Sequence, residues 1–414
     1  MEKPLVVRND KVINYINDDV ALLILSKLSF KSLKRFGCVR KSWSLLSNNP
    51  SFMSMYSRNF FSKCSYDDDT SLLLHLHGLK KMYSLSGDSF ENMVELDWPD
   101  QIDNLAFLGF GSVNGILCFE QPLKNKIVLW SPATNELKVI HSSQPMSFSP
   151  PVTLNFDCAV SFIPIPNLQG FGYDSVGDDY KLIRNISLTD RFHTLPSDRD
   201  LILMEDKSLK PFWEIYSLKS NSWKKLEIDM PSCAKTNSFF GTFRLYSDGV
   251  CHWLNLDGEN DYVGLSLISF DLSNEVFINT PIPSIATIPL SVAEPCAGLL
   301  VLNDSIGFFT YHSDMSAMTS TVGVSVLGEL GVKESWYKLF TVGPLPWFEI
   351  PIGVGKMGEV FFRNEDSELV WFDFNTNTIK HLGFKAGRVN CRINSFGRIV
   401  IYNKSMVSIG AISK

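Results

Sequence analysis

The sequence has no long hydrophobic run. No apolar stretch approaches the roughly 18 residues that a membrane-spanning helix requires, and the opening MEKPLVVRND has no apolar signal-peptide core. We therefore expect no contact with membranes and a location in the cytoplasm, the nucleus or both.

Cysteine pairs at metal-binding spacing are absent as well. The chain has 8 cysteines, none of them arranged as C-x-x-C, and several lie inside apolar runs, where cysteine acts as a small hydrophobic residue. This pattern predicts neither a disulfide framework nor a zinc site. We expect no metal and no cofactor.

Charge of one sign does not dominate the chain. Its 414 residues have a formal net charge of -6, with 45% hydrophobic and 20% charged residues, as in an ordinary soluble globular protein. Residues 1–65 differ, because they hold 11 Lys and Arg against 4 Asp and Glu. A basic end can bind nucleic acid, but here the basic residues alternate with apolar positions, so we expect no nucleic-acid partner.

What the chain does contain is a very apolar helical segment at residues 16–56. Asn17 can cap a first helix, and Asp18 and Asp19 then lie in its first turn, where the helix dipole favours negative charge. An unbroken apolar run follows at residues 20–25, which leaves this helix without a polar side.

Two further short helical patterns follow the first. One presents Leu33 and Phe36 three residues apart, and the next presents Val39, Trp43 and Leu46 at helical spacing. A segment of about 40 residues rarely buries enough surface to be stable alone, so we expect its exposed apolar side to bind another protein.

This segment resembles the F-box, the motif by which substrate receptors attach to Skp–cullin–F-box ubiquitin ligases. The plant form of the motif runs roughly LPxDLxxxILxRLPxKSLxRFxCVxKSW. The matching positions are Asp19, Val20, Ile24, Leu25, Leu28, 31–33, 35–36, 38–39 and 41–43. Two prolines of the motif are replaced, one by Asn17 and the other by Ser29.

The resemblance implies contact with a Skp-type adaptor and, through it, with a cullin. The basic residues would suit the acidic adaptor of this family. Phe36 and Trp43 would also contribute to the core of the module itself. The residues expected to contact the adaptor are Ile16, Val20, Ile24, Leu28, Leu33, Phe36, Val39 and Trp43. An alternative is that these helices only cap the downstream domain.

The remainder of the chain reads as strands. Residues 66–70, with three adjacent aspartates, predict a solvated hinge. We therefore divide the chain into an F-box domain at 14–60, a hinge at 61–70 and a β-domain at 71–414. Beyond the hinge the apolar runs are short, alternation is common, and no stretch has sustained helical periodicity.

A strand–turn–strand pattern recurs along the β-domain. Its six copies begin at Met82, Leu129, Glu214, Ile268, Val324 and Val370. Their turns are rich in Ser and Asn, which hydrogen-bond their own backbone and tolerate left-handed geometry. A glycine-led apolar strand precedes several copies, and most copies are about 50 residues apart.

One apolar strand plus a hairpin at this period is typical of a propeller blade. The last run, at residues 397–402, is expected to close the ring by pairing with residues 71–76. The fold class is therefore α+β and multidomain: a small three-helix F-box followed by an all-β propeller of six blades. Two stacked β-sandwiches would give a similar strand spacing but would not explain the recurrent hairpin.

The same stretches resemble the F-box-associated domain of plant F-box proteins, which is often described with kelch-like repeats. The resemblance depends on NGILCF at Asn114, LWSPATNELKVI at Leu129, GFGYDSVGDDYKLIR at Gly170, WEIYSLKSNSWKKLE at Trp213 and GVCHWL at Gly249. Ser131 stands where that family usually has Asn, and the double glycine of true kelch repeats is absent.

Several short patterns resemble catalytic or ligand sites but lack the required context. Residues 353–358 satisfy G-x-G-x-x-G, yet they open a strand where a nucleotide site needs a helix. Asp174, Asp178 and Asp179 lack the alternation of a calcium loop, so we expect a solvated turn.

Histidine and cysteine give no better case for a site. Cys251 and His252 are adjacent in a strand, so their side chains point to opposite faces and cannot share a site directly. His75 and His77 share a face, but two histidines without further ligands do not make a zinc site.

The sequence therefore favours a non-catalytic substrate receptor. The resemblance implies that the β-domain captures an unidentified target protein, and the loop-like stretches at 146–166 and 190–200 are the first regions to consider. Two alternatives remain open. One is an F-box scaffold that recruits no ligase, suggested by the replaced prolines; the other is a propeller-based hydrolase or lyase, which would need two carboxyl groups about 5–10 Å apart.

Overall fold

The chain divides into two compact units, residues 1–63 and residues 64–414. The computed structural model describes residues 17–28, 30–46, 49, 51–52, 55–56, 70–76, 81–87, 89–97, 99, 106–107, 111–121, 126–141, 152–153, 159–160, 162–190, 212–228, 244–257, 262–283, 288–289, 296–302, 305–314, 316–346, 352–355, 359–364, 366–373, 376, 378–385, 398–405 and 409. Of the predicted hinge, only Thr70 belongs to the described residues.

In the described part of the first unit, the helices with assigned bounds are α1 (Asp18–Leu25), α2 (Phe30–Gly37) and α3 (Lys41–Ser44), and residues 51, 52, 55 and 56 are helical as well. The side chain of Asn17 accepts a hydrogen bond from the backbone N–H of Asp19 at 2.9 Å, which confirms the predicted cap. Among the described helices, none has the length and apolar character needed to cross a lipid bilayer.

The second unit is built of strands. Their bounds are β1 (Thr70–Leu76), β2 (Lys81–Ser86), β3 (Asn92–Leu96), β4 (Ala106–Phe107), β5 (Leu117–Gln121), β6 (Lys126–Ser131), β7 (Glu136–His141), β8 (Val152–Thr153), β9 (Ala159–Val160), β10 (Phe162–Asp174), β11 (Asp179–Asp190), β12 (Phe212–Ser217), β13 (Ser222–Leu226), β14 (Leu245–Ser247), β15 (Val250–Asp257), β16 (Tyr262–Asp271), β17 (Val276–Pro281), β18 (Ile288–Pro289), β19 (Cys296–Leu302), β20 (Ser305–Asp314), β21 (Thr319–Leu327), β22 (Trp336–Pro346), β23 (Gly353–Val354), β24 (Val360–Arg363), β25 (Glu368–Asp373), β26 (Thr378–Lys385) and β27 (Arg398–Asn403).

Consecutive strands form antiparallel four-stranded sheets. We call them sheet A (β27, β1, β2, β3), sheet B (β4–β7), sheet C (β10–β13), sheet D (β14–β17), sheet E (β19–β22) and sheet F (β23–β26). A parallel pair, Gly353 with Ile399, joins sheets F and A. The short strand β18 also pairs with β16, and β8 pairs with β9.

The last strand closes the ring, as the sequence predicted. β27 pairs with β1 from Thr70 opposite Asn403 to His75 opposite Arg398. The first sheet is therefore assembled from both ends of the β unit. Pairing of this kind joins the two ends of the β unit within one sheet, as expected for a closed ring.

The six predicted hairpins are confirmed as β2–β3, β6–β7, β12–β13, β16–β17, β21–β22 and β25–β26. Asn135 (φ 53°) and Asn221 (φ 52°) adopt the left-handed conformation that their turns require. In the β16–β17 turn Glu275 adopts it instead, while the Asp271 carboxylate accepts the N–H groups of Ser273 and Asn274.

The core lies between successive sheets. Pairs of buried residues that share a cluster across each boundary are Leu73 and Trp130 (A and B), Leu129 and Phe171 (B and C), Trp213 and Trp253 (C and D), Leu267 and Phe308 (D and E), and Leu72 and Phe361 (A and F). Tyr311 and Phe362, with ring centroids 6.0 Å apart, connect sheets E and F. Packing of each sheet on the next is the arrangement of a β-propeller.

One predicted loop boundary is wrong. The stretch 146–166 was expected to be loop-like, but β10 begins at Phe162 and pairs with β11, with Pro164 opposite Leu188 and Pro166 opposite Ile186. The two prolines are tolerated because β10 is the edge strand of sheet C. The pairing also extends β11 to Asp190.

Candidate protein-binding surface

The helical unit exposes large apolar side chains. We call them the apolar surface of the helical unit, and they are Val20, Leu23, Ile24, Phe36, Val39 and Leu45. Val20 and Ile24 are each 49% exposed, and Val39 is 70% exposed. A concentration of apolar groups in water within such a short segment is the usual mark of a binding surface.

The exposure follows from the composition of α1. Ala21 and Leu25 lie four residues apart on one side of this helix, and both are buried. Val20, Leu23 and Ile24 lie at i, i+3 and i+4 on the other side and remain in water. Because the helix is apolar on both sides, burying one side leaves the other for a partner.

Contacts within the unit hold the end of α2 and α3 together near the start of α1. The Phe36 and Trp43 rings meet edge to face, with centroids 6.3 Å apart. The Arg40 guanidinium lies 6.0 Å from the Trp43 ring and pairs with the Asp18 carboxylate at 2.6 Å. Both charged side chains are about half exposed, so the pair contributes at most about 1 kcal/mol and serves mainly to orient the segment.

The eight residues predicted to contact an adaptor have different environments. Leu28 and Trp43 are half-buried, and Leu33, at 6% exposed, belongs to the core of the unit. Ile16 lies outside the described residues. The exposed members are Val20, Ile24, Phe36 and Val39. Contact with an adaptor stays a prediction for all eight.

Sequence reasoning missed two exposed residues, Leu23 and Leu45. Leu23 is three residues from Val20 and one from Ile24, so helical spacing alone was enough to place it on the same side. The family pattern did not include it, and the interpretation followed the pattern. Leu45 directly follows α3, where the periodicity gives no orientation.

Basic groups accompany the apolar surface. In the described part of the helical unit the exposed charged residues are Asp18, Asp19, Lys27, Arg35, Arg40 and Lys41. Four positive charges against two negative charges favour a partner whose own surface is acidic.

The β unit contains buried charges that are paired within and between sheets. Arg184 and Glu214 form an ion pair at 2.6 Å inside sheet C, and the Arg184 guanidinium also lies 3.6 Å from the centre of the Trp223 ring. Glu120 of sheet B accepts the backbone N–H of Leu168 in sheet C at 3.1 Å. These buried charges connect neighbouring strands. In the described part of the chain, no cluster of three or more His, Cys, Asp or Glu side chains is arranged to hold a metal ion.

The cysteine–histidine pattern does not form a nucleophile and base. Cys251 packs in the cluster between sheets C and D, while His252 is buried and its Nδ1 lies 2.8 Å from the Ser269 hydroxyl. Desolvation lowers the pKa of His252 to about 3. The imidazole is therefore neutral near pH 7 and far from the pKa that suits a general base.

The glycine pattern at 353–358 has a structural reason at its first position. A Cβ on Gly353 would lie well inside van der Waals contact with the Ile399 carbonyl oxygen, because this is where β23 meets β27. β23 pairs antiparallel with β24, and the described residues between the two strands are not helical. This confirms that the pattern lacks the context of a nucleotide site.

The prediction of a solvated turn is wrong for Asp174 and Asp179. Asp174 and Asp179 are buried, and the Asp174 carboxylate binds the Lys181 ammonium at 2.8 Å, the Ser273 hydroxyl and the backbone N–H groups of Val176 and Gly177. Burial alone would raise the pKa of Asp174, but the bonds from Lys181, Ser273 and Gly177 outweigh it and hold the pKa at about 2. Sequence alone could not show that sheet D supplies Ser273.

The β unit also matches a known family. Residues 80–409 match the model of the F-box associated beta propeller domain. The chain belongs to this family. Because the match begins after residue 63, it covers the β unit and not the helices.

Proteins named as F-box proteins align with most of this chain. It is 25% identical over 388 residues to the F-box protein CPR1 of Arabidopsis thaliana. This alignment covers 89% of this chain and 84% of the relative. It is also 25% identical over 342 residues to an F-box/kelch-repeat protein of the same plant, which covers 80% of each chain. A solved streptogramin B lyase aligns with a TM-score of 0.38 at 15% identity over 77% of this chain and 82% of that one.

Proposed function

We propose that this protein is the substrate-recognition subunit of a Skp–cullin–F-box ubiquitin ligase. Residues 14–60 act as the F-box and bind a Skp-type adaptor, which connects the chain to a cullin. The β unit is a six-bladed propeller that binds a target protein. In this proposal the chain itself is not an enzyme, and it works in the cytoplasm, the nucleus or both.

The observation that carries the proposal is the exposed side of α1. Val20, Leu23 and Ile24 remain exposed on one side of α1, while Ala21 and Leu25 on the other side are buried. Fully burying one such side chain contributes about 1.5–3 kcal/mol relative to full exposure. A partner that covers this side therefore gains stabilisation that the chain leaves unused.

Two further facts support the same partner. The family match and the F-box names of the relatives make an adaptor of the Skp type the expected one. The exposed Lys27, Arg35, Arg40 and Lys41 provide charge complementarity to an acidic adaptor.

The test is co-purification of the complete chain with a plant Skp-type adaptor. Replacing Val20 and Ile24 together by Asp places two charges on the apolar surface, and we expect affinity to fall at least about a hundredfold because each charge must be desolvated on binding. Val276→Asp is the matched control, since Val276 is 44% exposed on β17 of the other unit. Equal recovery of adaptor with the double variant and the control would contradict the proposal.

The second candidate is an F-box scaffold that recruits no ligase. It is favoured by the replacement of the motif prolines by Asn17 and Ser29. Asn17 nevertheless caps α1 through its side chain, so the start of the helix is preserved without proline. Reconstitution with adaptor, cullin and ubiquitin-charged enzyme separates the two: ubiquitin transfer supports the receptor, and stable adaptor binding without any transfer supports the scaffold.

A further inference from the structure

The strand β3 is the outermost strand of sheet A, and no strand in the described part of the chain pairs with its far edge. Asn92, Met93, Val94 and Glu95 are four consecutive exposed residues of β3. The described residues of the other outermost strands, β7, β13, β17, β22 and β26, contain no such run. Both faces of β3 and one of its edges are therefore open to solvent.

The outermost strands of the other sheets contain residues that hinder pairing with a foreign strand. β7, β13, β22 and β26 contain lysine, and β17 contains proline. Lysine and proline on a sheet edge are common protections against edge-to-edge pairing. β3, with the sequence NMVEL, has neither. Its one charged residue, Glu95, is paired with Lys81 of the neighbouring strand β2 at 2.9 Å.

Two large apolar side chains lie on opposite faces of β3. Met93 is 43% exposed and Val94 is 59% exposed, and neighbouring residues of a strand point to opposite faces. An edge strand also directs the N–H and C=O groups of alternate residues outward. An added strand would bind these backbone groups and cover part of both apolar side chains.

The charges around β3 indicate which partner fits this edge. Glu91 and Asp97 flank the strand and are exposed, whereas Glu95 and Lys81 neutralise each other. A second copy of this chain would bring the same acidic residues to the pairing, and like charges facing each other across a strand pair are unfavourable. A segment with basic residues complements the edge.

We propose that the open edge of β3 binds an extended, basic segment of the target protein, which adds to sheet A as a further strand. Main-chain hydrogen bonds supply the affinity, and Met93 and Val94 select apolar side chains. The inference rests on the proposed function for the role of the partner as a target. Its tests use the chain without an adaptor, so their failure is distinct from a failure of adaptor co-purification.

The first experiment selects displayed random peptides, long enough to form one strand, on the complete chain. We expect the recovered peptides to be basic and rich in β-branched residues, and to bind Val94→Lys at least about tenfold more weakly than the natural chain. Val276→Lys is the matched control, because Val276 is 44% exposed on β17, the outermost strand of sheet D. Recovery of no peptide that distinguishes the two variants would overturn the proposal.

A second measurement tests whether the peptide pairs through its backbone. Single N-methyl groups are placed at each position of a recovered peptide in turn. Only every second residue of a paired strand directs its N–H group to a given neighbour, so binding should be lost at alternate positions. Loss of binding without this alternation would overturn strand addition.

Variants of the flanking carboxylates test the charge of the partner. Replacing Glu91 by Gln and Asp97 by Asn together should weaken peptide binding severalfold and reduce its dependence on salt. Unchanged binding by this double variant would contradict a basic partner.

Light scattering of the natural chain and of Val94→Lys tests a second copy as the alternative occupant. We expect both proteins to have the same mass in solution. A dimer of the natural chain that Val94→Lys dissociates would assign the edge to self-association and overturn the proposal.

Discussion

Replacing Asp174 by Asn should destabilise the β unit by about 2 kcal/mol at neutral pH. The carboxylate is buried and binds Lys181 at 2.8 Å, and its pKa is about 2 in the folded protein against an ordinary 3.8. Each pKa unit corresponds to about 1.4 kcal/mol. Asparagine keeps the shape and can still accept the turn N–H groups, so the variant removes mainly the charge opposite Lys181.

The effect has a definite pH dependence. A folded pKa below the unfolded one gives a stabilisation that is fully present above about pH 4 and is lost as the pH falls toward about 2. About half of it should remain at pH 3. The difference in stability between the natural chain and Asp174→Asn should therefore shrink between pH 7 and pH 3, and other acidic groups cancel in this comparison.

The assay is urea unfolding followed by tryptophan fluorescence, because the midpoint and slope give the free energy of unfolding. Asp178→Asn is the matched control: Asp178 lies on the same turn, is exposed, and adopts φ 50°, which Asn tolerates. We expect the control to change stability by less than about 0.5 kcal/mol. Equal stability of Asp174→Asn and the natural chain, or a difference that does not shrink in acid, would refute the reasoning.

Two further predictions concern the ring closure and the helical unit. Gly353→Ala should lower the free energy of unfolding by about 3 kcal/mol or more, or prevent folding, because the new Cβ would meet the Ile399 carbonyl. Gly383→Ala should lower it by only about 1–2 kcal/mol, because Gly383 has φ 68° and no neighbour within 4 Å. Similar urea midpoints for the two variants would argue against the close approach at Gly353. Leu33→Ala should lower the helical circular dichroism signal of the first unit, because it creates a cavity in the core. Leu23→Ala should keep that signal and weaken adaptor binding, measured by titration calorimetry, about tenfold. The reverse pattern would contradict the assignment of Leu33 to the core and of Leu23 to the binding surface.

Local chemistry explains what the sequence made predictable. Turn residues such as Asn135 and Asn221 encode a hairpin within a few positions, and the glycine-led apolar runs encode its neighbouring strands. Even the long-range pairing of β27 with β1 was predictable, because a final strand without a hairpin has one open position to fill. The family resemblance then supplied the expectation of a ring.

Interactions between sheets could not be predicted in the same way. Asp174 looked solvated because its partner Ser273 is 99 positions away, and the hydrogen bond from the Leu168 backbone to Glu120 forms only once sheets B and C have packed side by side. The extension of β10 through Pro164 depended on its position at a sheet edge, which the local pattern does not reveal. Leu23 was missed for another reason, since a family pattern was followed where helical spacing was the better guide.

The most direct test of the central claim is hydrogen exchange of the complete chain with and without a Skp-type adaptor. If the apolar surface of the helical unit is the docking site, the amides of α1 and of residues 36–45 should exchange at least about tenfold more slowly in the complex, while those of β5 and β15 keep their rates. Unchanged exchange in α1 beside adaptor-induced protection in the β unit would contradict the account.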